Sequence, residues 1–167
     1  VSNSGVIGSD VSGVGTDRRY QAAATYGGDK GIYAFGQDSS SSISLSNLVN
    51  NSGVVASDVT GVGTARTSLA ACEYSENKDK AIFAFGYVSA VSSLSNLVNS
   101  SGVVASDTTG VGTARQSLTA CDYGGDKGIF GFGTTGSNVS MSNLVSNAGV
   151  VATDTTGVGT ARYTPAA

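Results

Sequence analysis

Histidine and tryptophan are absent from this chain of 167 residues, proline occurs once, and charged side chains make up only 13%. Each absence narrows what the chain can do. Without histidine there is no Ser-His-Asp or Cys-His arrangement, and the commonest zinc and copper ligand is missing. The net charge is -3, with Lys and Arg scarce. That argues against a nucleic-acid surface, which concentrates Lys and Arg. No apolar run approaches the roughly twenty residues of a spanning helix, and no secretory signal pattern opens the chain. A start at Val1 rather than Met is expected of a fragment or a processed product.

Glycine is abundant, at 24 residues. Short runs of Val, Ile, Phe and Tyr are punctuated by Gly and Ser, and no long helical period is present. This pattern predicts an all-β fold. The sequence is also repetitive. The segment from Asn96 to Arg115 recurs almost letter for letter from Asn47 to Arg66 and from Asn143 to Arg162, and its tail recurs before Arg18. A period of this size marks a stacked or circular repeat architecture. The division that follows is the end of one unit (1–18), three full units (19–66, 67–115 and 116–162) and the start of another (163–167).

Arg18, Arg66, Arg115 and Arg162 lie 48, 49 and 47 residues apart. The variation falls in two places. From the Arg to the next Asp-Lys lysine the gaps are 12, 14 and 12. From Gly36, Gly86 and Gly133 to the next repeated Asn they are 11, 10 and 10. Variable length belongs in surface loops. Four short segments remain in each unit, illustrated by Leu69–Tyr74, Ala81–Gly86, Leu94–Asn99 and Gly102–Asp107. In the second, alternation puts Ile82 and Ala84 on one face and Phe83 and Phe85 on the other. Both faces are apolar, which predicts cover on both sides. Gly124-Gly-Asp-Lys127 carries hairpin-turn chemistry. Four antiparallel strands per unit, each unit covering the next, make the blade of a β-propeller.

The Thr-Ala-Arg-x-x-Leu-x-Ala run, the Asp-Lys-x-Ile-Phe-x-Phe-Gly run and the Gly-Val-Val-Ala-x-Asp-x-Thr-Gly-Val-Gly run together resemble kelch-like repeat arrays in tail-fibre and other virion proteins of tailed bacteriophages. The resemblance covers essentially the whole chain. Two features depart from the ordinary kelch pattern: the paired glycines are reduced to Phe-Gly, as at Phe85-Gly86, and the usual Trp is missing. The resemblance implies a kelch-like β-propeller of four-stranded blades. Propellers close with about four to eight blades, so these units are expected to be part of a larger ring, completed by further sequence or by other copies. An open β-solenoid is the alternative.

Several motifs have both a chemical and a structural reading. Asp10/Arg18, Asp58/Arg66, Asp107/Arg115 and Asp154/Arg162 are each eight apart. Their recurrence in every unit favours turn capping by Asp and an ion pair or backbone contact between blades over a ring of acids and bases. Gly61-Val-Gly63 lacks the third glycine and following helix of a phosphate loop, so it reads as a tight connection. Cys72 and Cys121 occupy equivalent places and read as buried free thiols. Ser75-Glu-Asn-Lys78 matches a Ser-x-x-Lys pattern without any partner motif. Asn50, Asn99 and Asn138 begin sequons that matter only in a eukaryotic secretory setting.

The length-variable loops are the expected recognition elements. Gln37–Ser42, Tyr87–Ser93 and Thr134–Asn138 should line one face, and the hairpins at Gly27, Ser75–Asp79 and Gly124 the other. Tyr87 suits stacking on a sugar ring, and Gln37, Asp38, Thr134, Thr135 and Asn138 suit hydrogen bonds to hydroxyls. The expected function is a non-enzymatic structural or recognition module of a virion or extracellular appendage. Its partners would be other subunits, further blades, or a host-surface glycan or protein, with no nucleic acid, no membrane insertion and no cofactor. A purely architectural subunit is the alternative. A kelch-scaffold enzyme stands last, because copper-radical oxidases use histidine ligands and no carboxylate pair of a hydrolase stands out.

Overall fold

A computed structural model describes residues 5–165. These form nine short strands and no helix. The first unit contributes β1 (Ala22–Tyr26), β2 (Lys30–Ala34) and β3 (Ser46–Val49). The second contributes β4 (Ala70–Tyr74), β5 (Lys80–Ala84) and β6 (Ser95–Val98). The third contributes β7 (Thr119–Tyr123), β8 (Lys127–Gly131) and β9 (Ser142–Val145). Each trio is an antiparallel sheet in chain order, so the fold is all-β. β-Branched and aromatic residues sit on the central strands, where a pleated, half-buried surface favours them. Loop lengths vary where the gaps do. The two extra residues of the second unit fall in the β4–β5 hairpin at Ser75–Asp79, and the extra one of the first unit in the loop closed by the Gln37–Ser42 bridge.

The fourth segment does not form a strand. Val104 bridges to Val98 and Thr108 to Ser95, with nothing regular between, and the other units repeat this pattern. Three steps along β6 face four on the returning chain, which is a bulge that interrupts the ladder. Regular pairing therefore stops at three strands per unit. The returning chain stays attached through bonds such as Ala105 N to Leu97 O, at 2.8 Å.

The sheets stack so that β1 lies beside β4 and β4 beside β7. One apolar layer fills the first junction, from Tyr26, Ile32, Phe35, Phe83 and Val98. The next holds Tyr74, Ile82, Phe85, Phe130 and Val145. Fully burying each such side chain is worth about 1.5–3 kcal/mol. One expectation is corrected here. Phe85 does not share a face with Phe83 but joins Ile82 and Ala84 in the second layer. The strand ends at Ala84, and Phe85 takes φ 63°, which breaks the alternation. Phe35 and Phe132 do the same, at 63° and 62°. A non-glycine residue in this region is strained. The recurring conformation aims the Phe35 and Phe85 rings into the two junctions, with Phe35–Phe83 centroids at 5.6 Å and Phe85–Phe130 at 5.4 Å, and the Phe132 ring under Arg162.

A second recurring departure ties the units backbone to backbone. Tyr20, Ser68, Ser117 and Thr164 all have positive φ. Ser68 N donates to Tyr20 O, Ser117 N to Ser68 O, and Thr164 N to Ser117 O, at 2.8–3.0 Å. The hairpins are linked similarly: Gly27 N donates to Asp79 O, and Ser75 N to Asp126 O.

Gly102 shows how closely the units approach. A Cβ there would lie 2.8 Å from Leu48 Cδ2 and 2.9 Å from Tyr26 Cε2 of the first unit. At the equivalent Gly53, nothing lies within 4 Å. Both have φ near 80° (77° and 81°). Alanine at Gly53 should therefore cost only the left-handed strain, roughly 1–2 kcal/mol. Alanine at Gly102 should cost a further 1–3 kcal/mol or so from overpacking. Urea titration of the two variants checks this, and equal losses would contradict it.

Candidate functional site

The invariant Arg supplies the largest fully buried side chains of the first two units. Arg66 and Arg115 expose none of their surface. A guanidinium in an apolar junction must find acceptors for its donors. Arg66 closes the first unit and reaches into the second. Its Nε donates to Phe85 O (2.9 Å), Nη2 to Phe83 O (3.3 Å) and Nη1 to Thr64 O (3.3 Å). Its plane lies over the Phe35 ring, 4.3 Å from the centroid. Arg115 repeats this one unit on, bonding Phe132 O, Phe130 O and Thr113 O over the Phe85 ring. Each Arg thus takes its ring from its own unit and two carbonyls from the next. Burial pulls both guanidiniums down to about 10, against the opposing pull of Asp107 and Asp154. Both remain charged at neutral pH.

The Asp partner is not the one eight residues away. Arg66 Nη1 lies 3.8 Å from Asp107 Oδ1, in the following unit. Asp154 acts likewise on Arg115, and Asp58 on Arg18. Asp107 accepts from Thr64 N (3.0 Å) and Thr64 Oγ1 (2.6 Å) of the preceding unit, and from Asn96 Nδ2 (2.9 Å) of its own. Asp58 holds Thr16 and Asn47 in the same way, and Asp154 holds Thr113 and Asn143. The small residue of the connection is required here: a Cβ at Gly63 would fall 2.5 Å from Asp107 Oδ1. Gly61-Val-Gly63 is thus a tight passage over an Asp-Asn pair. For Asp107 and Asp154, burial pushes the carboxyl up, but the hydrogen bonds outweigh it and hold both below the usual range. Asp58 is lowered by its bonds from Asn47 and Thr16.

The two outer copies differ. Arg162 stacks on Phe132 at 4.4 Å but is exposed, and its guanidinium bonds to none of the described residues. Arg18 donates through Nη2 to Asn47 Oδ1, and its buried Nη1 has no acceptor. Asp10 is exposed.

The expected recognition residues sit at three equivalent places. Gln37, Tyr87 and Thr134 each follow a Phe-Gly pair. Each bridges back to the start of its unit, at Arg19, Thr67 and Gln116, and across its own loop, to Ser42, Val91 and Asn138. The backbone is alike, while the side chains differ. Tyr87 is exposed, and so are Thr135 and Asn138. Asp38 Oδ1 is committed to its own turn, accepting from Ser41 N (2.7 Å) and Ser40 N (2.8 Å). Those bonds hold its carboxyl low. Thr134 Oγ1 accepts from Gly136 N. Of this set Tyr87, Thr135 and Asn138 are exposed, while Gln37, Asp38 and Thr134 are half-buried.

The remaining motifs resolve simply. Ser75 Oγ donates to Asp79 Oδ1 (2.6 Å), while Lys78 lies near Glu73 and Asp122, so Ser75 and Lys78 do not act together. Asn50 and Asn99 use Oδ1 to cap their own turns. Both cysteines are free, but only Cys72 is buried. Burial pushes its thiol up to about 12. Cys121 is exposed: among the described residues, β7 has a neighbouring sheet only on the β4 side. Among the described residues, no group of three or more His, Cys, Asp or Glu could hold a metal ion, and no helix is long and apolar enough to cross a membrane. No protein-family model and no curated protein sequence matches the chain.

Sequence reasoning missed Asn47, Asn96 and Asn143, the polar partners inside the junctions, and Thr16, Thr64 and Thr113. The available signal was an invariant Asn opening each copy of the repeated segment.

Two measurements check this arrangement. Arg66→Ala leaves the Thr64, Phe83 and Phe85 carbonyls and Asp107 without their partner and should cost about 3–5 kcal/mol. Arg162→Ala, at the exposed copy, should stay within about 0.5 kcal/mol. Urea unfolding of the pair reads the difference, and equal effects would refute a role for the following unit. For pH, the lowered Asp58, Asp107 and Asp154 bind fewer protons folded than unfolded, so stability rises with pH through that window. Their contribution is complete above the ordinary carboxylate value of about 4 and is lost below it. Asp107→Asn should flatten the acid limb of a stability-against-pH curve.

Proposed function

We propose that the chain is a non-enzymatic recognition module: a section of a kelch-like β-propeller that carries variable loops on a rigid repeat. The observation that carries this reading is the contrast between invariant and variable positions. The residues that repeat are those that hold one unit to the next. Those that vary, at Gln37, Tyr87 and Thr134 and in the loops behind them, stand on the same bridged backbone. Loops on a rigid scaffold suit binding. A virion or surface-appendage setting rests on the motif resemblance, and so does the completion of each blade by the bulged fourth segment. The ligand this side-chain chemistry fits is a surface glycan, with Tyr87 against a sugar face and Thr135 and Asn138 on hydroxyls.

A purely architectural role is the second reading, and the apolar end faces of the stack favour it. Glycan-array binding followed by alanine substitution separates the two. The recognition reading expects a glycan signal that Tyr87→Ala lowers at least tenfold, equivalent to about 1.4 kcal/mol, with unfolding unchanged. A signal that survives Tyr87→Ala, Thr135→Ala and Asn138→Ala together would move binding off this face.

A further inference from the structure

Each unit has a front, which meets the preceding unit, and a back, which meets the following one. Two such contacts form between the three units, and among the described residues no third sheet covers either outer face. On the back of the third unit Tyr123 is 37% exposed, whereas its equivalents Tyr26 and Tyr74 are 3% and 4% exposed under the next unit. Leu144 is 39% exposed. Its equivalents Leu48 and Leu97 stand against Gly102 and Gly149 of the next unit. Ile129 and Phe132 line an open apolar hollow of about 340 Å³. On the front of the first unit Tyr33 is 41% exposed, where Phe83 and Phe130 are fully buried. Gly53 there has nothing against it, where Gly102 and Gly149 each meet a Tyr and a Leu. Tyr123 and Leu144 at one end, and Gly53 and Tyr33 at the other, are two halves of one contact that the chain makes twice.

The front of the first unit is not wholly bare. Thr16 occupies Asp58 as Thr64 occupies Asp107. The segment around it is a poor substitute for a full unit. Arg18 has no aromatic ring of a preceding sheet beneath it, and its buried Nη1 has no acceptor. Arg162 presents the converse, a ring-stacked guanidinium without carbonyls.

We propose that the front of the first unit in a second copy of this chain docks on the back of the third, with Thr160 and Arg162 of one copy displacing Thr16 and Arg18 of the other. One Thr-Asp clamp replaces another, so the exchange itself costs little. The gain is the burial of both apolar faces, together with the Tyr33 and Phe35 carbonyls for Arg162. The contact is heterologous: it joins copies head to tail, and it closes a ring or extends a string according to the rotation per copy. It depends on the unit-to-unit contacts and not on the recognition role.

Sedimentation velocity of the 167-residue chain, between about 1 µM and 1 mM, tests it. The mass should rise with concentration. Leu144→Lys blocks the back and Tyr33→Asp the front, both at exposed side chains, and matched thermal melts confirm folding. Each variant alone should remain monomeric. An equimolar mixture should form a dimer and stop, because one intact front and one intact back remain. Thr16→Ala should tighten association about tenfold by weakening the displaced segment. A wild-type chain that stays monomeric throughout would overturn the proposal. So would variants that assemble alone, or a mixture that fails to pair while wild type assembles, since that would mean a different contact. Glycan binding by the loop-bearing edge is read separately, so loss of one result leaves the other standing.

Discussion

A buried guanidinium cannot be left without acceptors, and that requirement organises this molecule. Arg66 and Arg115 each expose none of their surface, yet each finds only one of its three carbonyl acceptors within its own unit, at Thr64 or Thr113. The other two carbonyls come from the following unit, at Phe83 and Phe85 or at Phe130 and Phe132. A unit therefore cannot satisfy its own Arg, and the cost of leaving one unpaired makes the junction specific rather than merely sticky. The Asp, Thr and Asn set fixes the register of the same junction from the other side, through a carboxylate that reads a backbone N–H and a hydroxyl of the preceding unit.

Backbone strain serves the same junction. Phe35, Phe85 and Phe132 accept an unfavourable φ at the end of the central strand. In return the Phe35 and Phe85 rings turn into the next layer, and at Phe85 and Phe132 the carbonyl turns toward the Arg. Stability in such a stack is close to a sum of unit and neighbour terms. The graded behaviour of the four Arg copies fits that picture: two are complete, one has a ring without carbonyls, and one has a single acceptor and no ring. An end face in this arrangement is a surface with its mate missing.

The division of labour along the chain follows. The Arg, Asp, Asn and Thr that repeat are those that bond across or beside the junctions. Gln37, Tyr87 and Thr134 take part only through their backbones, so their side chains are free to differ. The same logic separates Asp38 from its neighbours. It lies in a variable loop, but its carboxylate is spent on holding that loop's turn.

Much of this was legible in the residues. The repeat, the all-β class, the central strand and both variable loops follow from periodicity and spacing, because strand alternation and turn chemistry are local. The Arg and Asp were recognisable as charges that pair between units, as Arg66 and Asp107 do, but the spacing of eight did not say which Asp meets which Arg. Only the stacking of sheets brings Arg66 to Asp107, across a distance in sequence that no local rule spans. Likewise, alternation assigned Phe85 to the face of Phe83. A left-handed φ, sustained by packing on both sides, put it on the other. The fourth segment looked like a strand by composition. It became a bulged return because Asp107 turns inward to Thr64 and Asn96. The amino-acid sequence by itself determined the unit, its strands and where it could vary, since those depend on near neighbours. The tertiary structure decided which charges pair and which faces meet, since a buried polar group can be satisfied only by what the next unit brings to it.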